Sequence, residues 1–236
     1  MLTIPEKIII EAARKKTFTE ASFDVIRRAH ASGGTEGLAS NVALFAAYRK
    51  LIAAKKIKPH SALARVIIKR KVRTLSGIAA ITVMTPNGAC PGTCVFCPTE
   101  RGMPKSYLSN EPAVMRAIAN KFDPYLQVAS RLASLTAQGH ATDKIEIIVI
   151  GGTWSSIPHR FQEQFIARLY EALNEQNSTG KKQTASLSKL QEYNRRHAAH
   201  KLVGLTLETR PDWVNEDEIK RMRLYGCTRV ELGVQS

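Results

Sequence analysis

From residue 77 onward the chain alternates short apolar runs with longer amphipathic ones, and few folds satisfy that grammar. "GIAAITVMT" (77–85), "KIEIIVI" (144–150), "KLVGLTLE" (201–208) and "TRVELGVQS" (228–236) are strand-sized and rich in β-branched residues. Between them lie helical stretches. One is opened by Pro112, interrupted at Pro124 and closed by Gly139. Another, 159–174, carries Phe161, Phe165, Ile166, Leu169 and Leu173 at helical spacing, and further helices are expected around 187–199 and over 215–226. The polar run 174–189 reads as a surface excursion. Strands alternating with helices predict parallel pairing through right-handed crossovers. No glycine-rich dinucleotide fingerprint follows the first strand. The expected fold class is therefore α/β, a partial (β/α) barrel of about four βα units, with a four-stranded open sheet as the competing arrangement. Four strands cannot close a barrel, so the sequence reads as a piece of a longer protein.

The first part of the chain has a different character. Residues 4–73 read as helices: Ile4, Ile8, Ile9 and Ala12 repeat at three- and four-residue steps, and Thr17 or Thr19 is placed to cap a second helix. After a break at "SGGTEG" (32–37), Leu38, Val42, Phe45, Leu51 and Ile52 fall largely on one stripe. The expected division is a basic helical region, 1–73, followed by an α/β domain, 74–236. Of the net charge of +15, residues 1–73 supply a surplus of 11, from 16 Lys+Arg against 5 Asp+Glu. So lopsided a field points to a polyanion such as nucleic acid, the alternative being a merely solvated basic face. The densest basic run is "RVIIKRKVR" (65–73), and His60 nearby reads as a surface residue. Phe18, Phe23, Phe45 and Tyr48 lie among these charges, but their helical spacing favours a core role over base stacking. No apolar run is long enough to span a bilayer, and "MLTIPEKIII" is a poor secretory signal, so no membrane partner and a cytoplasmic location are expected.

Three of the four cysteines crowd into one loop, "PNGACPGTCVFCPTE" (86–100), directly after the first strand. Their spacing is Cys90-x3-Cys94-x2-Cys97. A tight cluster of this kind reads as metal or redox chemistry, not as a disulfide framework. Pro91, Gly92 and Pro98 keep the loop out of a helix, so three sulfurs can converge on a 4Fe-4S cluster and leave one iron open for a chelating ligand. The spacing is that of radical S-adenosylmethionine (SAM) enzymes, in which the amino and carboxylate groups of SAM take the fourth iron. The competing reading is a structural zinc with Cys227 or His140 as fourth ligand. No second C-x2-C is present, and Cys227 before a strand reads as a small buried hydrophobe.

In barrels, working groups lie where the strands end. The cysteine loop follows the first strand, Gly151-Gly152-Thr153 the second, "ETRPD" (208–212) the third, and "GVQS" (233–236) finishes the fourth. Gly151 and Gly152 let backbone approach a ligand, here the amino end of SAM, or else form a plain turn. Glu208 can accept from ribose hydroxyls or the SAM ammonium. Arg210 can fork onto a carboxylate or phosphate. The plain alternative for Glu208 and Arg210 is a surface ion pair at a strand end.

"VMTPNGACPGTCVFCP", "SYLSNEPAVMRAIANKFDPYLQVASRLASLTAQGHATDKIEIIVIGGTW", "LTLETRPDW" and "YGCTRVELGVQS" together resemble the elongator protein three family, the catalytic subunit of Elongator, over residues 70–236. The resemblance implies an enzyme that modifies the wobble uridine of the tRNA anticodon. Acetyl-CoA would be co-substrate, its acetyl group activated by a 5′-deoxyadenosyl radical and added to carbon 5 of the base. It implies Cys90, Cys94 and Cys97 as cluster ligands, and a basic N-terminus that grips the tRNA anticodon stem-loop, with Elongator-type subunits as partners. Lys144 matches the lysine that contacts acetyl-CoA in the family and is assigned to catalysis on that ground. From its position alone it is a charge entering a strand. Two departures stand out: Pro98 is followed by Thr99-Glu100 where the family has Gly-Gly, and "SYLSNEP" replaces Ser-Tyr-Thr-Gly-x-Glu-Pro. The rest of the barrel and an acetyltransferase-like domain are expected to lie outside these residues.

Three functions therefore compete: a radical SAM tRNA-uridine modifying enzyme, a tRNA-binding fragment without autonomous catalysis, and a lysine or histone acetyltransferase. No acetyl-CoA pyrophosphate loop followed by a helix supports the third.

Overall fold

The computed structural model describes residues 2–15, 17–31, 38–68, 74–88, 90–95, 97–174 and 185–234. The break at 32–37, residues 69–73 of the basic run, most of the 174–189 excursion and the last two residues of "GVQS" lie outside the described residues. The chain divides into two compact units, one of Met1–Ser76 with Ala133–Ala141, the other of Gly77–Leu132 with Thr142–Ser236. Among the described residues, no helix is long and apolar enough to cross a membrane.

The first unit contains α1 (Ile4–Ala13), α2 (Glu20–Ala29), α3 (Asn41–Ala53) and α4 (Ser61–Ile67). Local chemistry fixes where they begin. Thr3 and Glu6 cap α1 reciprocally, and Thr19, not Thr17, caps α2 through the Ser22 N–H. Ile8, Ile9, Ala12, Phe23, Ile26, Leu44, Tyr48, Leu51, Leu63 and Ile67 form one buried cluster, with Phe18 and Phe45 packed against it, so the aromatic residues are core. Two expectations are corrected. Leu38 and Val42 are 52% and 42% exposed. The buried stripe of α3 is instead Leu44, Ala47, Tyr48 and Leu51, because the helix starts only after Ser40 and is rotated from the expected phase. His60 is not an idle surface residue: its Nδ1 accepts the Leu63 N–H at 3.1 Å and caps α4. Its own N–H donates to Tyr48 Oη at 2.8 Å.

The second unit is a four-stranded parallel sheet in the order β1 (Ala79–Met84), β2 (Lys144–Ile150), β3 (Lys201–Thr209), β4 (Arg229–Leu232). Strands added always on the same side are singly wound; a doubly wound sheet would reverse direction after its first strand. Alternation sets the two faces. Ile81, Val83, Ile145, Ile147, Val149, Leu205 and Leu207 are buried on one. On the other, Met84 and Ile150 at the carboxyl ends pack with Val114 and Ala117 of α5 (Pro112–Ala119). Nearer the strand starts that face is polar: Arg229 Nε donates to Thr206 Oγ1 at 3.0 Å, and its Nη2 pairs with Glu146 at 3.1 Å and Glu231 at 3.3 Å.

The helices between strands are α6 (Pro124–Ala137), α7 (His159–Leu173), α8 (Leu187–Arg196) and α9 (Glu216–Leu224). At the end of β1, Gln127 of α6 accepts the Met84 N–H and donates to the Met84 carbonyl, both at 2.9 Å. A buried side-chain amide thus satisfies backbone groups that no strand pairs, immediately before the cysteine loop.

Candidate cluster and cofactor site

The loops after all four strands meet at one end of the sheet. A cavity of about 380 Å³ there is lined by Cys90, Cys94 and Cys97 together with Gly152, Thr153, Glu208, Arg210 and Glu231. A second, of about 370 Å³, is walled by Gly151, Ile157 and Phe161 and shares Cys90, Lys105, Gly152 and Thr153 with the first. Each lies at the small end of the ~300–1,000 Å³ usual for ligand sites. Of the residues assigned from sequence to the cluster and its co-substrates, Lys144 lines neither cavity. It is exposed at the start of β2, about 20 Å of strand from Gly151.

Within the cysteine loop the Cys97 N–H donates to the Cys94 carbonyl at 3.2 Å. The loop is held by the segment that follows. Ser106 N–H donates to the Pro98 carbonyl at 3.2 Å. Lys105 Nζ donates to Thr99 Oγ1 at 2.8 Å, and Glu100 accepts the Ser109 N–H at 2.8 Å, which holds its carboxyl below the usual range. Thr99 and Glu100, which stand where the family has Gly-Gly, are thus braces of this loop.

The sulfurs sit apart, each beside a different polar group. Cys90 Sγ lies 3.4 Å from Thr153 Oγ1, Cys94 Sγ 3.7 Å from Arg210 Nη1, and Cys97 Sγ 2.8 Å from Ser106 Oγ. Among the described residues, no three His, Cys, Asp or Glu side chains are gathered to hold a single metal ion. Zinc needs its ligands on one centre, whereas an iron–sulfur cluster is held through thiolates spread around it. Cys227 lines neither cavity: it is 3% exposed, its Sγ donates to the Arg229 carbonyl at 3.1 Å, and burial raises its thiol pKa. His140 lies in the first unit, its Nδ1 2.9 Å from Thr74 Oγ1.

Arg210 is not free to fork onto a ligand. Its Nε and Nη2 are both committed to Asp212, at 2.9 and 2.8 Å, which leaves Nη1 turned to Cys94. Glu208, on the last turn of the β3 ladder, is paired in register with Glu231 and accepts from Tyr107 Oη at 3.0 Å. Burial raises its pKa first and the Glu231 charge adds to this, against the lowering by the Tyr107 bond. An acid whose folded pKa is raised loses stability as pH rises through that pKa. Glu208→Gln is therefore expected to raise the urea midpoint at pH 7 and to lose that advantage at pH 4, where the native Glu208 is itself protonated. Equal midpoints at pH 7 refute the strained-carboxylate assignment. Ser106, Tyr107 and Glu231 were not selected from sequence; only the period-two spacing of Arg229 and Glu231 in the fourth strand hinted at the last.

Strand-end loops converging on a three-thiol cavity define an α/β protein with its site at the carboxyl edge of a parallel sheet. Comparison with known proteins narrows that class. The tRNA uridine(34) acetyltransferase of Methanocaldococcus infernus is 45% identical over 177 residues, 72% of this chain and 32% of that protein. Its Methanocaldococcus jannaschii counterpart is 38% identical over an alignment of 246 positions, 100% of this chain and 42% of that protein. Elongator complex protein 3 of Bos taurus is 37% identical over 204 residues, 80% of this chain and 33% of that protein. A solved structure of archaeal Methanocaldococcus infernus Elp3 with an N-terminal deletion superposes with a TM-score of 0.50 at 37% identity, covering 68% of this chain and 29% of that one. No family model matches the chain. The chain belongs to the family of tRNA uridine(34) acetyltransferases and Elongator complex protein 3, and spans 32–42% of the length of these relatives.

Proposed function

We propose that this chain belongs to an enzyme that modifies the wobble uridine of tRNA by radical SAM chemistry, with acetyl-CoA as the acyl source. Relatives named for tRNA uridine(34) acetyl transfer support the reaction. The observation that carries the cofactor assignment is the cavity lined by all three thiols and by residues from four strand ends. In this reading the singly wound sheet is the first half of a (β/α) barrel. Cys90, Cys94 and Cys97 hold a 4Fe-4S cluster. The bound cluster and SAM supply a one-electron source and a hydrogen-abstracting carbon radical.

The chain's own residues do the positioning. Glu208, oriented by Tyr107, accepts from the ribose hydroxyls or ammonium of the nucleotide. Gly152 brings backbone close without a side chain in the way, and among the described residues nothing beyond its chain neighbours lies within 4 Å of where its Cβ would be. The adjoining cavity receives the reacting group across the wall formed by Cys90 and Thr153. Lys144 contacts acetyl-CoA by family resemblance, away from the cluster. Residues 1–73 grip the anticodon stem-loop through phosphates, and Elongator-type subunits are the protein partners.

Anaerobic reconstitution tests the reading. About four iron and four acid-labile sulfide per chain, with reductive cleavage of SAM, are expected. A colourless protein that retains zinc and no iron refutes it. Because the chain spans 32–42% of its relatives, a second reading is a tRNA-binding fragment without turnover of its own. That reading predicts salt-dependent tRNA binding and an assembled cluster, but no modified uridine.

A further inference from the structure

We infer that Ser106, with Thr153 and Arg210, forms a set of hydrogen-bond donors, one to each cluster sulfur, and that Ser106 sets the reduction potential of the cluster through Cys97. This rests on the iron–sulfur reading of the site. The three donors come from three separate segments, after β1, β2 and β3, yet each ends on a different cysteine. Chance neighbours would not be expected to divide themselves so evenly. A sulfur bound to iron is only an acceptor, so in the loaded site both hydroxyls must donate, as the Arg210 guanidinium always does.

Ser106 is the strongest member. Its Oγ is 2.8 Å from Cys97 Sγ, the shortest of the three contacts. It also adopts φ +75°, a left-handed conformation costly for any residue but glycine. Strain of this kind persists where surrounding structure enforces it, and it collects at functional sites. Here the Ser106 N–H is tied to the Pro98 carbonyl, one residue beyond Cys97, which turns the hydroxyl onto the sulfur. A glycine would take the backbone without strain and lose the donor, so the serine is explained by its hydroxyl.

Donors to the sulfurs stabilise the more negative, reduced cluster, and removing one lowers the potential. Ser106→Ala and Ser106→Gly, each in the intact chain, should both shift the reduction equilibrium toward the oxidised cluster by about tenfold, 59 mV for a one-electron couple. The readout is an EPR-monitored redox titration without SAM or tRNA. Thr153→Val should shift it less, in the same direction. The glycine variant is the safeguard against misfolding, since it relieves strain that alanine keeps. An unmoved potential in a fully loaded glycine variant overturns the inference and leaves the cluster assignment standing. A wild-type chain that assembles no cluster overturns both, and iron content tells the two failures apart.

Discussion

Replacing Cys90, Cys94 or Cys97 singly by alanine is expected to cut the iron retained after anaerobic reconstitution by at least about tenfold and to abolish SAM cleavage. Loss of even an outer partner of a metal ligand typically costs 10–100-fold in affinity, and here one of three anchors is removed outright. The fold should not notice. The three sulfurs lie on an irregular loop and are only half-buried, so each change should move the unfolding free energy by no more than about 0.5 kcal/mol. On the proposed reading tRNA affinity should also hold, because that reading places the phosphate contacts on the lysines and arginines concentrated in residues 1–73. Cys227→Ala supplies the contrast. That thiol is buried and hydrogen-bonded at the start of β4, so its loss should cost about 1 kcal/mol of stability and no iron. Metal analysis, urea unfolding and filter-binding at two salt concentrations separate these outcomes. Full iron retention in any one of the three loop variants would remove that cysteine from the ligand set.

The first three strands were legible because one face of each is apolar and buried, as Ile81, Val83, Ile145, Ile147, Val149, Leu205 and Leu207 show, whatever lies beyond them in the chain. β2 occupies the residues expected of it, and β1 and β3 differ by a residue or two. Among the described residues β4 is shorter than its run: it ends at Leu232, and the Gly233 N–H to the Thr209 carbonyl, at 2.9 Å, extends it by one bond. The convergence of four strand ends on the cysteines also followed from topology. What sequence could not supply was the partner of each side chain. Arg210 was available for a ligand until Asp212, two residues on, took its fork. Tyr107 meets Glu208 across 101 positions, a pairing no local pattern encodes. His60 reads from sequence as a surface residue because its ring does the work of a Ser or Thr cap, and the stripe of α3 is misphased because a run of apolar residues does not say where a helix begins. The apolar pattern was right about Leu51, wrong about Leu38 and Val42, and silent about polar partners.

The two glycines that end β2 make a matched pair from which steric and conformational costs can be separated. Gly151 has φ +127° and Gly152 has φ +98°, both in territory that L side chains rarely adopt. An alanine Cβ at 152 would meet nothing within 4 Å, so Gly152→Ala should cost only the backbone strain, about 1–2 kcal/mol. At 151 the Cβ would lie 3.0 Å from the Thr85 nitrogen and 3.2 Å from its carbonyl oxygen. Those atoms cannot yield cheaply. The Thr85 N–H donates to the Ile150 carbonyl at 2.9 Å, carrying the β1–β2 ladder one step further, and Thr85 Oγ1 donates to the Gly151 carbonyl at 3.1 Å. Gly151→Ala must strain the backbone and also break this junction, a total of about 4 kcal/mol, which puts it among the severe single substitutions. Because the junction aims Gly152 and Thr153 at the cysteines, iron loading should fall with stability in Gly151→Ala and stay near normal in Gly152→Ala. Urea midpoints and iron content of the two variants decide it. Equal losses of stability would mean that the strand end can move, and that the close packing of Thr85 on Gly151 does not fix the floor of the cavity.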